Sequence, residues 1–331
     1  MAMGKRLGSQ MIAVCLLLSC TFIAASIQRA HAGSPAALKQ GAMTNVQALV
    51  LGVVEGVTEY LPVSSTGHLL LAERIMGIGD DPSESPDQQE RAKEAADAYT
   101  ICIQAGAILA VLWLYFGRVK QILRGLVGKD SGGRRLLLNV AAGFLPAAVL
   151  GLLFNKLIKS YLFGAWPVVI AWLVGGLAIL AVSRRNQAQR QGARPSRQLD
   201  DMSGWMALAI GFAQCIAMWP GVSRSLVTIV AGLMAGLSLA AAVEYSFLLG
   251  VVTLGAATAY DALKHGRLML QTFDHYSLII GVVVAFVAAA ISVKWMVNYL
   301  SRHGLEIFGY YRVIAAVVAT VFLLTTKMIW I

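Results

Sequence analysis

Two glutamates, Glu55 and Glu59, stand four residues apart in an otherwise apolar stretch of the chain. On a helix this spacing places both carboxylates on one face, where two like charges repel each other. An ionisable side chain inside a membrane costs about 2.5–3.5 kcal/mol on insertion scales, so the pair needs a cation, an arginine or a shared proton to relieve it. A divalent cation, Mg²⁺ or Ca²⁺, that joins carboxylate and phosphate oxygens would meet this need. A structural carboxylate paired with a buried arginine would meet it equally well.

A run of hydroxyl side chains, Ser64, Ser65 and Thr66, follows the glutamates and leads through a glycine to His68. At the start of a helix, such a run presents backbone N–H groups and the positive end of the helix dipole to an anion. Within one helical turn, His68 could reach the hydroxyl of Ser65 and act as its general base. A lone histidine in an apolar segment is more often structural, but its neighbours favour a catalytic role. We therefore predict that Ser64 and Thr66 bind substrate and that Ser65 and His68 are catalytic.

A second polar group stands far along the chain, where Ser223, Arg224 and Ser225 follow a proline–glycine turn and Thr228 comes one helical turn later. The planar guanidinium of arginine suits phosphate because it donates two parallel hydrogen bonds. An interfacial arginine that extends to the lipid headgroups is the alternative, but Arg224 lies well inside an apolar segment. We predict that Arg224 is catalytic and that the three hydroxyls bind substrate.

The composition indicates which elements must position these residues. Hydrophobic residues make up 58% of the chain and charged residues 13%, against roughly 25% charged residues in soluble domains. Apolar runs of about 18 residues or more recur, as in membrane-spanning helices. We predict six full spans, at 98–116, 136–154, 166–183, 241–262, 277–299 and 308–329. The net charge of +10 comes from basic residues in short segments between these spans, so we expect membrane lipid and no nucleic acid as partner.

Two further apolar segments, 46–76 and 205–239, are interrupted by prolines and hydroxyl residues. Each half is too short to cross a bilayer, which takes about 20 helical residues, so we predict two re-entrant helical hairpins. Their sequences form a weak repeat in which Glu55 corresponds to Gln214 and Glu59 to Met218. The predicted fold is an all-α polytopic membrane protein with an inverted-topology repeat, whose two hairpins meet near the midplane.

The charges between the spans predict the orientation. The segments 117–135 and 184–202 are rich in arginine and lysine and should be cytoplasmic, whereas 73–97 is acidic and should face outside. Residues 1–42 resemble a cleaved signal, with a small-residue pattern near residue 32, or equally an uncleaved anchor helix, and a third alternative is that Met43 is the true start. The remainder, 43–331, is predicted to be a single integral-membrane domain.

The two polar motifs together resemble those of the undecaprenyl-pyrophosphate phosphatase, or bacitracin-resistance, family. The resemblance runs from about residue 43 to the end of the chain, and the first motif is long enough to be highly specific. The stretches that carry it are Glu55-Gly-Val-Thr-Glu59-Tyr-Leu-Pro-Val-Ser-Ser-Thr-Gly-His68, Pro220-Gly-Val-Ser-Arg-Ser225, Gln104-Ala-Gly-Ala-Ile-Leu-Ala-Val111 and Phe308-Gly-Tyr-Tyr-Arg312.

The resemblance implies an enzyme of the bacterial inner membrane that hydrolyses a C55 polyprenyl pyrophosphate on the periplasmic side with a divalent cation. This reaction recycles the lipid carrier of peptidoglycan synthesis and confers bacitracin resistance. The resemblance implies that Glu55 and Glu59 form the acidic motif, and we predict that both bind the metal and that Glu59 is also catalytic. The family leaves serine, histidine or water as the attacking group. We favour Ser65 with His68 as its base. A polyprenyl-phosphate transporter or flippase is the alternative function, and the family allows a homodimer.

Overall fold

The computed structural model describes residues 44–78, 86–162, 164–190, 196–272 and 275–326, so the predicted extension 1–42 lies outside the described residues. These residues form helices joined by turns, together with two short 3₁₀ helices and a single isolated β-bridge between Arg197 and Leu237. The α-helices are α1 Asn45–Thr58, α2 Ser65–Ile75, α3 Pro86–Leu114, α4 Phe116–Leu126, α5 Ser131–Leu162, α6 Ala165–Arg190, α7 Gly204–Gln214, α8 Arg224–Met234, α9 Leu239–Thr272, α10 His275–His303 and α11 Glu306–Thr326.

Six of the described helices are long and apolar enough to cross a membrane, which confirms the predicted number of spans. The spanning stretches are Ala96–Leu114, Ser131–Phe154, Ala165–Arg184, Leu239–Lys264, His275–His303 and Glu306–Thr325. Large apolar side chains such as Leu152 and Leu153 are more than two-thirds exposed on their outer faces. Lipid tails would cover these side chains, and the polar backbone groups are satisfied inside each helix. The chain is therefore a multi-pass, all-α membrane protein.

Two segments that lie outside the predicted spans, 73–97 and 117–135, are partly helical. α3 begins at Pro86, well before its apolar part, and the basic segment after it contains α4. Proline is well placed in a first helical turn, and the glutamine, glutamate and alanine residues that follow favour helix. Helix propensity does not require apolar residues, so a hydropathy criterion alone misses both segments.

The first interrupted segment forms a hairpin of α1 and α2, as predicted. Thr44 caps α1 in a reciprocal pair of hydrogen bonds with Gln47. α1 has 14 residues and α2 has 11, so at 1.5 Å per residue neither crosses a hydrocarbon core of about 30 Å. The chain turns between them at residues 59–64. Ser64, the residue just before α2, has a positive φ of 75°. We call residues 59–64 the first tip.

The second interrupted segment forms the equivalent hairpin of α7 and α8. α7 ends in a 3₁₀ helix, Cys215–Met218, and the chain then turns through residues 219–223, which we call the second tip. Gly221 has a φ of 92°, and a Cβ there would lie 2.9 Å from the carbonyl oxygen of Val168 on α6. Glycine is therefore required at this turn, both for its backbone conformation and for the close approach of α6.

The helices pack in matching pairs. α1 packs chiefly on α10 and α7 on α5, so the first helix of each hairpin rests on a span of the other half of the chain. α3 likewise pairs with α9, and α6 with α11. Three of the six spans lie between the two hairpins, so the hairpins enter from opposite sides. This is the arrangement that the inverted repeat predicts.

Candidate active site

The two tips lie against each other in the interior of the protein. Ser223 and Ser225 both donate hydrogen bonds to the carbonyl oxygen of Leu61 in the first tip, at 3.4 and 2.9 Å. Among the described residues, many of the buried polar side chains lie on the two hairpins or bond to them, including Glu55, Thr58, Glu59, Ser64, Ser65, Ser223, Ser225, Thr228, Ser246 and Arg312. The sequence repeat predicts this convergence, and it creates a polar centre inside an otherwise apolar molecule.

An ion pair joins the hairpins across this contact. Arg224 donates from Nη2 to Oε1 of Glu59 at 3.1 Å, and the two side chains are only 11% and 6% exposed. The same guanidinium donates from Nη1 to the carbonyl oxygen of Ser246 at 2.9 Å and lies over the ring of Tyr60, 5.1 Å from its centroid. The arginine is thus fixed from several directions, and its positive charge compensates the carboxylate of Glu59.

The second carboxylate oxygen of Glu59 accepts a short hydrogen bond from the hydroxyl of Ser65. Ser65 is the first residue of α2, and the side chain of Ser64 before it makes no capping hydrogen bond. The N–H groups at this helix start are thus not satisfied by Ser64 and suit an anion. Ser65, Glu59 and Arg224 therefore form a continuous chain of a hydroxyl, a carboxylate and a guanidinium beside a helix N-terminus.

His68 makes its hydrogen bonds elsewhere. Its Nδ1 lies 2.7 Å from the carbonyl oxygen of Ser64, which can only accept, so Nδ1 carries the hydrogen. In the neutral imidazole, Nε2 then accepts from the hydroxyl of Tyr311 at 2.6 Å, and the imidazole contacts the rings of Trp172 and Tyr311, whose centroids lie 4.7 and 5.7 Å from its own. The hydroxyl of Ser65 is thus bonded to Glu59, and the predicted role of His68 as its base stays a prediction.

Glu55 is the most isolated polar group of the site. It lies one helical turn before Glu59, it is 1% exposed, and neither carboxylate oxygen has a hydrogen-bond partner among the described residues. A buried carboxylate without a donor is costly unless it is neutralised. The described residues contain no group of three metal-ligating side chains, but Mg²⁺ is often held by one or two carboxylates together with phosphate oxygens. The two glutamates therefore fit a divalent cation that the substrate helps to bind.

The predicted substrate-binding hydroxyls occupy different positions. Thr66 is exposed. Ser223 and Ser225 are buried and face the first tip, and their hydroxyls lie 2.9 Å apart. Thr228 bonds to Ser246 on α9 at 2.6 Å and is fully buried. Ser64 contributes its carbonyl oxygen, which accepts from His68. The second-hairpin hydroxyls thus hold the tips and α9 together, and their predicted role with substrate stays a prediction.

Two residues at the site were not assigned a role from the sequence. Tyr311 orients His68, and its neighbour Arg312 is fully buried and donates to backbone carbonyls of both tips and of α6. Both belong to a stretch that resembles the family, but the resemblance gave them no function. An ionisable side chain inside an apolar span was the only further signal for Arg312.

The comparisons with known proteins agree with this geometry. The family model of the bacitracin resistance protein BacA matches residues 48–318. An undecaprenyl-diphosphatase of Sorangium cellulosum is 46% identical over 80% of this chain and 82% of its own length. An enzyme with the same name from Nitrosomonas europaea is 43% identical over 81% of this chain and 90% of its own, and one from Variovorax paradoxus is 40% identical over 86% and 97%. The range matched by the family model includes nearly all of the first hairpin and the whole of the second, and the chain therefore belongs to the bacitracin resistance protein BacA family.

Proposed function

We propose that this chain is an undecaprenyl-diphosphatase, which hydrolyses undecaprenyl pyrophosphate to undecaprenyl phosphate and inorganic phosphate. The observation that carries the proposal is the chain of hydrogen bonds from Ser65 through Glu59 to Arg224, where the two hairpin tips meet. It joins a hydroxyl that can attack phosphorus, a carboxylate that can take its proton and a cation that binds phosphate. The names of the relatives support the lipid substrate. The product is the lipid carrier of peptidoglycan synthesis.

The arrangement supports a two-step hydrolysis. The oxygen of Ser65 attacks the terminal phosphorus and its proton passes to Glu59, while the bond to the bridging oxygen breaks and undecaprenyl phosphate leaves. Water then attacks the phosphoserine, Glu59 returns the proton to the serine oxygen, and one proton is released with inorganic phosphate. Arg224 stabilises the charge that develops on the phosphoryl oxygens, as arginines do in other phosphoryl transfers. In this scheme Glu59 takes the part that the sequence assigned to His68.

Glu55 and Glu59 would hold the divalent cation, Mg²⁺ or Ca²⁺. When bound, the cation neutralises charge on the pyrophosphate and helps to orient it. Glu55 suits this role better because its oxygens have no donor among the described residues, whereas those of Glu59 accept from Arg224 and Ser65.

We further propose that the protein lies in the bacterial inner membrane with this site facing the periplasm. The basic residues on and around α4 support a cytoplasmic position for that helix. Hydrolysis on the periplasmic side would lower the amount of the pyrophosphate-bearing lipid, which supports a role in bacitracin resistance, as the family name indicates.

The test is phosphate release from undecaprenyl pyrophosphate by the purified full chain in lipid nanodiscs, with Mg²⁺, Ca²⁺ or a chelator. We expect one phosphate per lipid, and we expect Ser65→Ala to abolish it. Ser183 is a matched control because it is a buried serine on α6, and Ser183→Ala should leave the rate within about twofold. Movement of the lipid across the bilayer without phosphate release would favour the transporter instead.

A further inference from the structure

Arg312 on α11 contacts both tips at once. Its Nη2 donates to the carbonyl oxygens of Gly221 in the second tip and of Ala171 on α6, both at 2.8 Å. Its Nη1 reaches the carbonyl oxygen of Pro62 in the first tip at 3.4 Å, and its Nε that of Trp172 at 3.4 Å. The side chain is 0% exposed. A single guanidinium therefore binds the backbone of three separate segments.

This burial is not explained by stability alone. A guanidinium inside a membrane protein is costly, and Arg312 has no ion pair with a carboxylate among the described residues. Replacing buried charges with well-packed apolar groups is often neutral or stabilising. Carbonyl oxygens compensate the charge only because the tips are held at this place, so the position of the tips and the presence of the arginine depend on each other.

The two tip residues that Arg312 binds are equivalent in the sequence repeat. Pro62 corresponds to Gly221 when Gly52 is placed over Gly211, and each lies three residues before a residue of the proposed chemistry, Ser65 or Arg224. The guanidinium of Arg312 fixes the distance between the carbonyl oxygens of Pro62 and Gly221. It thereby limits the distance between the serine and the arginine that follow them in the chain.

We propose that Arg312 is a positioning residue that holds the two tips in register, so that Ser65 and Arg224 face the same phosphate. This inference rests on the proposed function for its effect on rate, but the register itself can be measured without catalysis. Lysine cannot replace the arginine, because a single ammonium lacks the rigid fork that reaches several carbonyls. A misplacement of about 1 Å can reduce a rate about 100-fold.

Two adjacent glycines on α6 allow a controlled test. A Cβ at Gly175 would lie 2.5 Å from Nη2 of Arg312. Gly175→Ala therefore displaces the guanidinium without mutating Arg312 itself. A Cβ at Gly176 would instead lie 2.9 Å from both the carbonyl oxygen of Gly309 and the side chain of Val313, and 3.1 Å from the Cβ of Arg312, with no guanidinium atom among its three nearest contacts. Gly176→Ala therefore disturbs the packing of α6 on α11 without a close contact to the guanidinium itself.

For phosphate release we expect Arg312→Lys and Gly175→Ala each to lower kcat about 100-fold with KM changed less than about threefold. Gly176→Ala should stay within about threefold in kcat, even at an equal loss in thermal midpoint. An equal loss of kcat in Gly176→Ala would overturn the proposal, because packing alone would then explain the effect. So would full activity in Gly175→Ala.

The register is measured separately, by electron–electron resonance between nitroxides at Thr66→Cys and Ile216→Cys in a cysteine-free background. Both native side chains are exposed. We expect a single narrow distance distribution with Arg312 in place, and a shifted or broadened one in Arg312→Lys and Gly175→Ala but not in Gly176→Ala. Unchanged distances in the first two variants would overturn the positioning role. Absence of phosphate release from the unmutated chain would refute the proposed function and leave this measurement intact.

Discussion

The two hairpins share one construction. Each has a short apolar helix, a tip that contains proline and a second helix preceded by serine, Ser64 in one and Ser223 in the other. Each rests its first helix on a span of the opposite half, α10 or α5. The repeat thus explains why two segments far apart in the chain meet at one point.

Their chemistry differs at equivalent positions. Glu59 in the first hairpin corresponds to Met218 in the second, and Ser65 corresponds to Arg224. The helix starts also differ, since the hydroxyl of Ser223 caps α8 whereas that of Ser64 makes no capping hydrogen bond in α2. The symmetric scaffold therefore brings the tips together, and the candidate site arises because the first hairpin supplies a hydroxyl and a carboxylate whereas the second supplies a guanidinium. Two identical hairpins would place like charges against each other.

Removing the carboxylate that joins the hairpins should have the largest effect. Glu59→Gln deletes the proposed base and leaves Arg224 without its counter-ion, so we expect kcat to fall about 10⁴-fold, the upper range for loss of a general base. Glu244 is a matched control because it also pairs with an arginine, Arg118, at 2.9 Å. Glu244→Gln should reduce kcat less than about threefold, and a similar loss in both variants would contradict the role of Glu59.

Displacing the guanidinium of Arg224 should have the next largest effect. A Cβ at Gly250 on α9 would collide with Nη1 of Arg224, so Gly250→Ala should move the guanidinium away from Glu59. We expect a loss of about 100-fold in kcat. A Cβ at Gly255, on the same helix, would have no atom within 4 Å, so Gly255→Ala should retain activity. Equal rates in the two variants would show that the position of Arg224 does not matter.

Replacing Glu55 by glutamine, the residue at the equivalent position of the second hairpin, tests whether Glu55 binds the metal. Glu55→Gln gives the first hairpin the amide that Gln214 gives the second. The concentration of Mg²⁺ that supports half-maximal phosphate release should rise at least about tenfold. Even mutations of residues that only support a metal ligand reduce metal affinity by about this factor. The rate at saturating Mg²⁺ should fall less than in Glu59→Gln. An unchanged Mg²⁺ dependence would mean that Glu55 does not hold the cation.

The spans follow from local hydropathy, and the two hairpins follow from prolines inside apolar segments. The odd number of spans between the hairpins sends them in from opposite sides, so the sequence could also predict that they meet. It could also place Arg224 and the glutamates at membrane depth. The sequence paired Ser65 with His68 because the two residues lie within one turn of the same helix. The observed partner of Ser65 is instead Glu59, at the other end of the first tip. Side-chain directions at a tip depend on backbone angles such as the positive φ of Ser64, which has no signature in residue spacing.

Arg312 shows the other limit of sequence analysis. Its contacts with the tips join residues separated by 250 and 91 positions, Pro62 and Gly221. No periodicity within α11 records these partners, since they depend on how the whole bundle packs. A buried arginine in an apolar span indicates that a partner exists, but only the assembled fold identifies backbone carbonyls as that partner.

The smallest expected effect concerns His68, which belongs to the first hairpin but is held by α11. Tyr311→Phe removes the hydrogen bond to Nε2 and leaves the stacked ring in place. A typical hydrogen bond contributes about 0.5–1.5 kcal/mol, so we expect kcat to fall by a factor of about 2 to 12. The pH–rate profile should keep its shape, because Glu59 and not His68 carries the proton in the proposed mechanism. Tyr310 is the control, since it is adjacent and 53% exposed. A pH profile that moves in Tyr311→Phe but not in Tyr310→Phe would contradict this scheme and give His68 a part in the proton transfers.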